Sequence, residues 1–467
     1  MQQPMISRRA LVVSLALAIV CPCVSADVKL AGIFGDNMVL QRDAAVRVWG
    51  SATPGENVRV AIAGKSASAV AGANGHWSLE LEPQKAGGPH EMKVSGTNEL
   101  HLRDVWFGDV WLCSGQSNMG VPLNAATDGA REVGKLAKLD LHWFYVPMRP
   151  SMQRLDDAEG HWVVCRAEDA ALLSAVAYFF ASELRAALKV PIGIIQAAPG
   201  GTPAEAWTDV EAMKAEPALA PSLARAARQM KARPGVLFNG MIAPLAPFSM
   251  KGVVWYQGES NTSLVEQYKI LFPTLIRSWR KAWSRDDLPF LFVQLPNQGE
   301  PEKEPGSSDW AAMREVQAQT LALPATGMAV TIDVGDVDLH PPRKREVGER
   351  LARIARARVY GEKRVVDSGP TFAGMKIEND AAVLRFDHVE GGLKAAKGEK
   401  LSAFAIAGAD KHFVWADARI EGDKVIVKSA SVAAPVAVRY GWADNPSCNL
   451  FNGEGLPAAP FRTDDWK

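Results

Sequence analysis

The sequence predicts a doubly wound α/β core on a mainly parallel sheet, flanked on its N- and C-terminal sides by all-β, sandwich-like regions. Three observations lead there. From about Asp109 to Tyr360, short apolar runs alternate with amphipathic segments of helical period, as strands joined by crossover helices do. From Asp27 to about Phe107, and again from Asp367 onward, the pattern is instead one of short alternating runs broken by turn residues. The composition, 48% hydrophobic and 22% charged over 467 residues, is that of an ordinary globular chain. Fifty-two basic residues balance 52 acidic ones, so charge points neither to nucleic acid nor to an anionic membrane.

The chain starts "MQQPMISRRALVVSLALAIVCPCVSADVKL". A basic pair, Arg8-Arg9, precedes an apolar run from Ala10 to Val20 and the small residues Val24-Ser25-Ala26. This is the plan of a secretory signal over 1–26, cleaved after Ala26, and it implies a periplasmic or secreted protein. The run is too short to span a bilayer, so no membrane span is expected. "SRRALV" suits twin-arginine export as well as the general route, and bulky Val20 argues against lipid attachment at Cys21. Cleavage leaves Cys113, Cys165 and Cys448, enough for one disulfide at most.

Residues 27–106 then read as an N-terminal β-sandwich-like domain, in which "AAVRVWGSATPGENVRVAIAG" and "GANGHWSLELEP" place strands on either side of turns. Residues 107–362 form the α/β domain. Its helices are predicted in Ala171–Leu188, Val265–Trp283 and "RKREVGERLARIARARVYG", and its strands in "PIGIIQAAP", "GVVWYQ", "PFLFVQLPN" and "ATGMAVTIDV". Residues 363–467 return to alternation ("KVIVKSA", "PVAVRYGW") and end in an irregular Gly/Pro-rich tail.

Four strand ends of the α/β region run into polar or glycine-rich loops: "WLCSGQSNM", "IIQAAPGGTPAEAW", "GVVWYQGESN" and "AVTIDVGDVDLHPP". In a parallel sheet all four emerge on one edge, where ligands bind. Ester hydrolysis needs a nucleophile, a base, a group that orients the base, and donors for the oxyanion. Ser117 is the candidate nucleophile; Ser114 reads as a strand-end or turn residue. His340 lies on a strand-end loop with Asp338, Asp336 and Asp333 before it, and a carboxylate there can hold the imidazole's tautomer. Backbone amides of Ser117 and of Gly200 or Gly201, with a side-chain amide of Gln257 or Asn261, are candidate oxyanion donors. Met119 replaces the final glycine of a Gly-X-Ser-X-Gly elbow. Gln116, Glu259 and Arg314 are candidate substrate contacts, Glu259 otherwise bracing its loop and Arg314 otherwise lying on a solvated helix face. Trp207 and Trp255 read as packing residues. No His/Cys/Asp cluster has ligand spacing, so neither metal nor cofactor is expected.

"MVLQRDAAVRVWGSATPGENVRV", "GQSNM", "PGGTPAEAW", "FNGMIAPLAPFSMKGVVWYQGESN", "DLHPPRKREVGERLA" and "NLFNGEGLPAAPFRTD" resemble, in order and across nearly the whole mature chain, the bacterial sialate O-acetylesterases. These form a carbohydrate-esterase branch of the SGNH hydrolase superfamily. The resemblance implies an SGNH-type α/β domain and a serine hydrolase that removes acetyl groups from sugar hydroxyls. It maps the nucleophile onto Ser117, the base onto His340 and the orienting acid onto Asp338. Many superfamily members place that acid three residues before the histidine, where this chain has Val337, and "QGESN" replaces their Gly-X-Asn-Asp block. An acetylated xylan or another polysaccharide is the alternative substrate. A carbohydrate-binding protein with a decayed site is the alternative of another class, and a glycoside hydrolase using Glu259 a third. The expected partner is an O-acetylated sugar, with no obligate protein partner.

Overall fold

Continuous apolar runs become strands covered on both faces, and seven of them carry the site. A computed structural model describes residues 27–136, 141–225 and 229–466; the expected signal segment lies outside these residues. The strands are β1 (Glu99–Gly115), β2 (Leu141–Tyr145), β3 (Trp162–Val164), β4 (Ile192–Ala197), β5 (Gly252–Tyr256), β6 (Phe290–Val293) and β7 (Thr326–Ala329). Their order across the sheet is β3-β2-β4-β1-β5-β6-β7. All neighbours are parallel except β3, which runs antiparallel to β2. From β1 the chain crosses to β2 and the edge strand β3, returns to β4 beside β1, and then winds outward through β5, β6 and β7 on the other side. The crevice of such a sheet opens where the winding reverses, beyond the C-terminal ends of β4, β1 and β5.

Alternation along each strand assigns its two faces. Val253, Trp255, Phe290 and Phe292 pack with helix α2 (Val265–Ala282), whose Trp279 meets Trp255 edge to face at 5.6 Å. Val254, Tyr256, Leu291 and Val293 face the other way, toward α1 (Ala175–Leu188) and α4 (Arg345–Ile354). Each fully buried apolar side chain of this kind contributes about 1.5–3 kcal/mol, and these strands collect that contribution on both faces. Trp207 and Trp255 are both buried in this packing. Helix α3 (Asp309–Gln319) starts at Ser308, whose hydroxyl caps the amide of Ala311.

The two β regions are attached differently. The N-terminal one is continuous with the core, because β1 is a 17-residue strand. Its first half pairs with Gly87–Ser95 and with Val39–Gln41, its second half with β4 and β5. The expected boundary at 106/107 therefore falls inside an unbroken strand, and one hydrophobic core spans it. The C-terminal region has its own core and three small sheets, two of four strands and one of two. It docks through Arg314, Asn297 and Ser308, which bond to Ala443–Asn445. Cys113, Cys165 and Cys448 are free thiols.

Candidate active site

The nucleophile loop begins where β1 must stop. Gly115 has φ +137°, and a Cβ on it would lie 2.1 Å from the carbonyl oxygen of Tyr256 in β5. Only glycine fits that conformation so close to a neighbouring backbone. The next residue, Gln116, donates its amide to the same carbonyl at 3.0 Å, and Ser117–Gly120 then form a single helical turn. Ser117 opens that turn, so its N–H has no acceptor within the helix. Ser114 is wholly interior and donates its hydroxyl to the carbonyl of Ala197 at 2.7 Å. The two serines of "CSGQSN" thus divide: one pins β1 to β4, the other stands at the crevice, half-buried.

Ser117 Oγ lies 2.8 Å from Nε2 of His340, on the loop after β7. The loop is held from several sides. Asp333 takes two bonds from Arg350, at 2.6 and 2.7 Å, and its carbonyl accepts from Arg343. Asp336 accepts from the amide of Val337. The carbonyl of Leu339 accepts from Asn118 Nδ2 at 2.9 Å. These bonds commit the Asp333 carboxylate to Arg350 of α4 and that of Asp336 to the backbone of the loop. Asp338 is exposed and, among the described residues, makes no hydrogen bond to the imidazole; it acts on His340 through its charge. The His340 pKa lies below the usual histidine value. Partial burial is the main cause, the positive charge of Lys344 adds to it, and Asp338 opposes both.

The glycine loop after β4 approaches the nucleophile closely: a Cβ on Gly200 would lie 3.2 Å from that of Ser117. Its carbonyl accepts from Lys231 Nζ at 2.7 Å, and Gly201 follows with φ +67°. Gln257 and Asn261 are placed otherwise than an oxyanion role requires. Gln257 Nε2 donates to Asn261 Oδ1 at 2.8 Å and to the carbonyl of Thr202 at 3.3 Å. Asn261 Nδ2 donates to Glu205 at 2.8 Å, and its Oδ1 also accepts from the amide of Ala204. Both amides are buried and committed beneath the loops, while the backbone of Gly200 stays beside Ser117.

The candidate substrate contacts are placed as follows. Gln116 is buried, and its carbonyl oxygen accepts from the amide of Ser260, fastening the first loop to the third. Glu259 turns its carboxylate inward onto Asn118 Nδ2 at 2.6 Å. Arg314 corrects the sequence reading most clearly. It is fully buried in α3 and donates to the carbonyls of Leu295, Pro296, Ala443 and Asp444, so it lies neither in the crevice nor on a solvated face. Burial lowers its pKa to about 10. Sequence reasoning missed Asn118, Lys344 and Lys231. Asn118 sits inside the quoted "GQSNM" and Lys344 inside "HPPRKREVG", but nothing local marks either as a site residue.

A doubly wound sheet with a serine and a histidine in contact over its switch point defines a hydrolase of the SGNH type. Comparison with known proteins agrees. Residues 107–357 match the family described as carbohydrate esterase, sialic acid-specific acetylesterase. The chain is 31% identical to the sialate O-acetylesterase of Homo sapiens, over 93% of this chain and 92% of the relative. It is 30% identical to that of Mus musculus, over 96% and 97%. The crystal structure of a carbohydrate acetylesterase from Xanthomonas citri superposes with a TM-score of 0.88 at 43% identity, covering 94% of this chain and all of that one. The chain belongs to the sialic acid-specific acetylesterase family of carbohydrate esterases. It is a carboxylic ester hydrolase that removes O-acetyl groups from carbohydrate.

Proposed function

We propose that Ser117 and His340 carry out this deacetylation through an acetyl-enzyme, with acetylated sialic acid as the substrate. The observation that carries the reading is the 2.8 Å contact between Ser117 Oγ and His340 Nε2 at the sheet's switch point. In neutral His340 the unprotonated Nε2 accepts the serine proton as Oγ attacks the acetyl carbonyl. The N–H groups of Ser117 and Gly200 receive the oxyanion, each worth about 3–4 kcal/mol of barrier. The imidazolium then protonates the departing sugar oxygen. In the second half, water gives its proton to His340 and attacks the acetyl carbonyl, and collapse of that intermediate returns the proton to Ser117 and frees acetate. Asp338 contributes negative charge that favours the imidazolium.

His340 is exposed and Ser117 half-buried, so the acetyl carbonyl can be reached without enclosing the sugar. That openness also suits the second reading, a polysaccharide ester. The leader-like 1–26 supports export, and among the described residues no helix is long and apolar enough to cross a membrane. The test is acetate release from 9-O-acetyl sialic acid and from acetylated xylan, with wild type beside Ser117→Ala. Loss of about 10⁶-fold in the variant is expected. Retained activity would sink the nucleophile assignment, and a preference for xylan would replace the sialate reading with the polysaccharide one.

A further inference from the structure

Behind Ser117 and His340 lies a buried polar cluster that the steps above do not use. Asn118 follows the nucleophile and is fully buried. Its Nδ2 donates to Glu259 Oε1 and to the carbonyl of Leu339, and its Oδ1 accepts from Lys344 Nζ at 2.5 Å. One side-chain amide thus joins the loop after β1, the loop after β5 and the loop that bears His340. Lys344 is sealed from solvent, with Nζ 5.4 Å from the centre of the Tyr256 ring. Glu259 Oε2 is equally enclosed and has no hydrogen-bond partner among the described residues. Stability does not account for such groups, because buried ion pairs are commonly matched or bettered by apolar side chains of similar size. The solvent side of His340 offers no comparable hold, since Asp338 makes no hydrogen bond to it among the described residues.

We propose that the Asn118–Glu259–Lys344 cluster is the positioning device of the active site: it fixes His340 against Ser117 from behind and biases the imidazole toward its neutral form. This rests on the assignment of Ser117 and His340 as nucleophile and base. The electrostatics run the same way. Burial brings Lys344 down to about 7 against the pull of Glu259, and burial raises Glu259. The charged and titratable groups around the pair are Tyr256 from β5, Glu259 from the loop after it, and Asp338 from the histidine's own loop. Arg343 and Glu346 bond to each other and so do not offset the lysine. A neutral base is the form that accepts a proton from serine, so a cation behind His340 extends activity to lower pH.

The experiment is kcat/KM against pH for 4-nitrophenyl acetate, using the full chain and the variants Lys344→Met, Glu259→Gln and Asp338→Asn. For Lys344→Met the acidic limb should move up by about half a pH unit or more, with kcat down about tenfold to a hundredfold from the misplaced base. Glu259→Gln keeps the shape of the cluster and should move the limb in the same direction, because Lys344 without its counter-charge gives up its proton more readily. Asp338→Asn should cost less in kcat than Lys344→Met. A uniform loss with the limb unmoved in both cluster variants, full activity in both, or Asp338→Asn as the most damaging change would overturn the proposal. Ser117→Ala in the same series keeps the two ideas apart. If it still turns over, the nucleophile assignment fails; if it is dead while the cluster variants keep the wild-type limb, the positioning idea alone fails.

Discussion

As the proposed base, His340 can act only while it is neutral, and its pKa lies below the ordinary histidine value of 6.5. Activity should therefore hold level down past neutrality and fall only as pH drops through that lowered value. A pH–rate profile on a small acetyl ester measures this; a limb centred above 6.5 would contradict it. The cluster behind the histidine carries a stability prediction of opposite sign to its effect on rate. Removing both charges together, Lys344→Met with Glu259→Met, should leave the melting temperature equal or raised while turnover falls, as happens when a buried pair gives way to apolar packing. Differential scanning fluorimetry beside the activity assay would decide it, and a large drop in melting temperature would count against it. Arg314 having proved interior, Lys231 is the cation placed on the glycine loop. If the substrate is a sialate, Lys231→Ala should raise KM for acetylated sialic acid about tenfold more than for acetylated xylan, the loss expected of one charge-assisted hydrogen bond. Equal effects on both substrates would remove Lys231 from recognition.

The meeting of β1 and β5 is the element on which the nucleophile depends. Gly115→Ala would force a methyl to within 2.1 Å of the Tyr256 carbonyl at φ +137°. The expected cost is about 3 kcal/mol or more, read as a fall in the denaturant midpoint. The elements themselves were largely legible in the sequence. Helical period placed α1 within Ala171–Leu188 and α2 within Val265–Trp283, and the four loop-ended strands do share one edge. These signals are local, carried by side-chain period and by turn residues. What the sequence concealed is long-range. "WAAMREVQ" looks like a helix with an arginine to spare, yet the carbonyls that use that arginine include Ala443 and Asp444, about 130 residues away. Gln257 and Asn261 look like free amides after a strand until residues 202–205 take up their donors. The boundary drawn at 106/107 follows a related signal: β1 alternates on its exposed half and turns continuously apolar on its buried half, so a change of burial along one strand reads like a change of domain.

Across the whole molecule, the C-terminal β region reaches the chemistry through residues 297–299: Gln298 and Gly299 join Asp444 and Asn445 to Val337 of the histidine loop, and Asn297 runs beside them. Asn297 donates to Asn445 Oδ1 at 2.6 Å, while its own Oδ1 accepts from the amide of Gly335 at 2.7 Å, five residues before His340. That bridge gives the appended sheets a bearing on the histidine loop. Asn445→Ala should lower kcat several-fold while shifting the melting temperature by only a few degrees, the scale of about 1 kcal/mol; unchanged kcat would confine the region to a purely structural part. Arg314→Leu should do the reverse. With four carbonyls stripped of their donor it should destabilise by about 3 kcal/mol or more, seen as early proteolysis of the C-terminal region, with turnover per folded molecule within about twofold of wild type.

The pair that meets at 2.8 Å is separated by 223 residues of chain. Gly115 must likewise wait for Tyr256, and Asn118 for Leu339, before the nucleophile's turn is complete. A ribosome therefore delivers Ser117 long before His340. With that pair as the proposed nucleophile and base, the newborn chain is chemically silent until His340 has been made and folded back, and a nascent or truncated product carries the serine without the hydrolase.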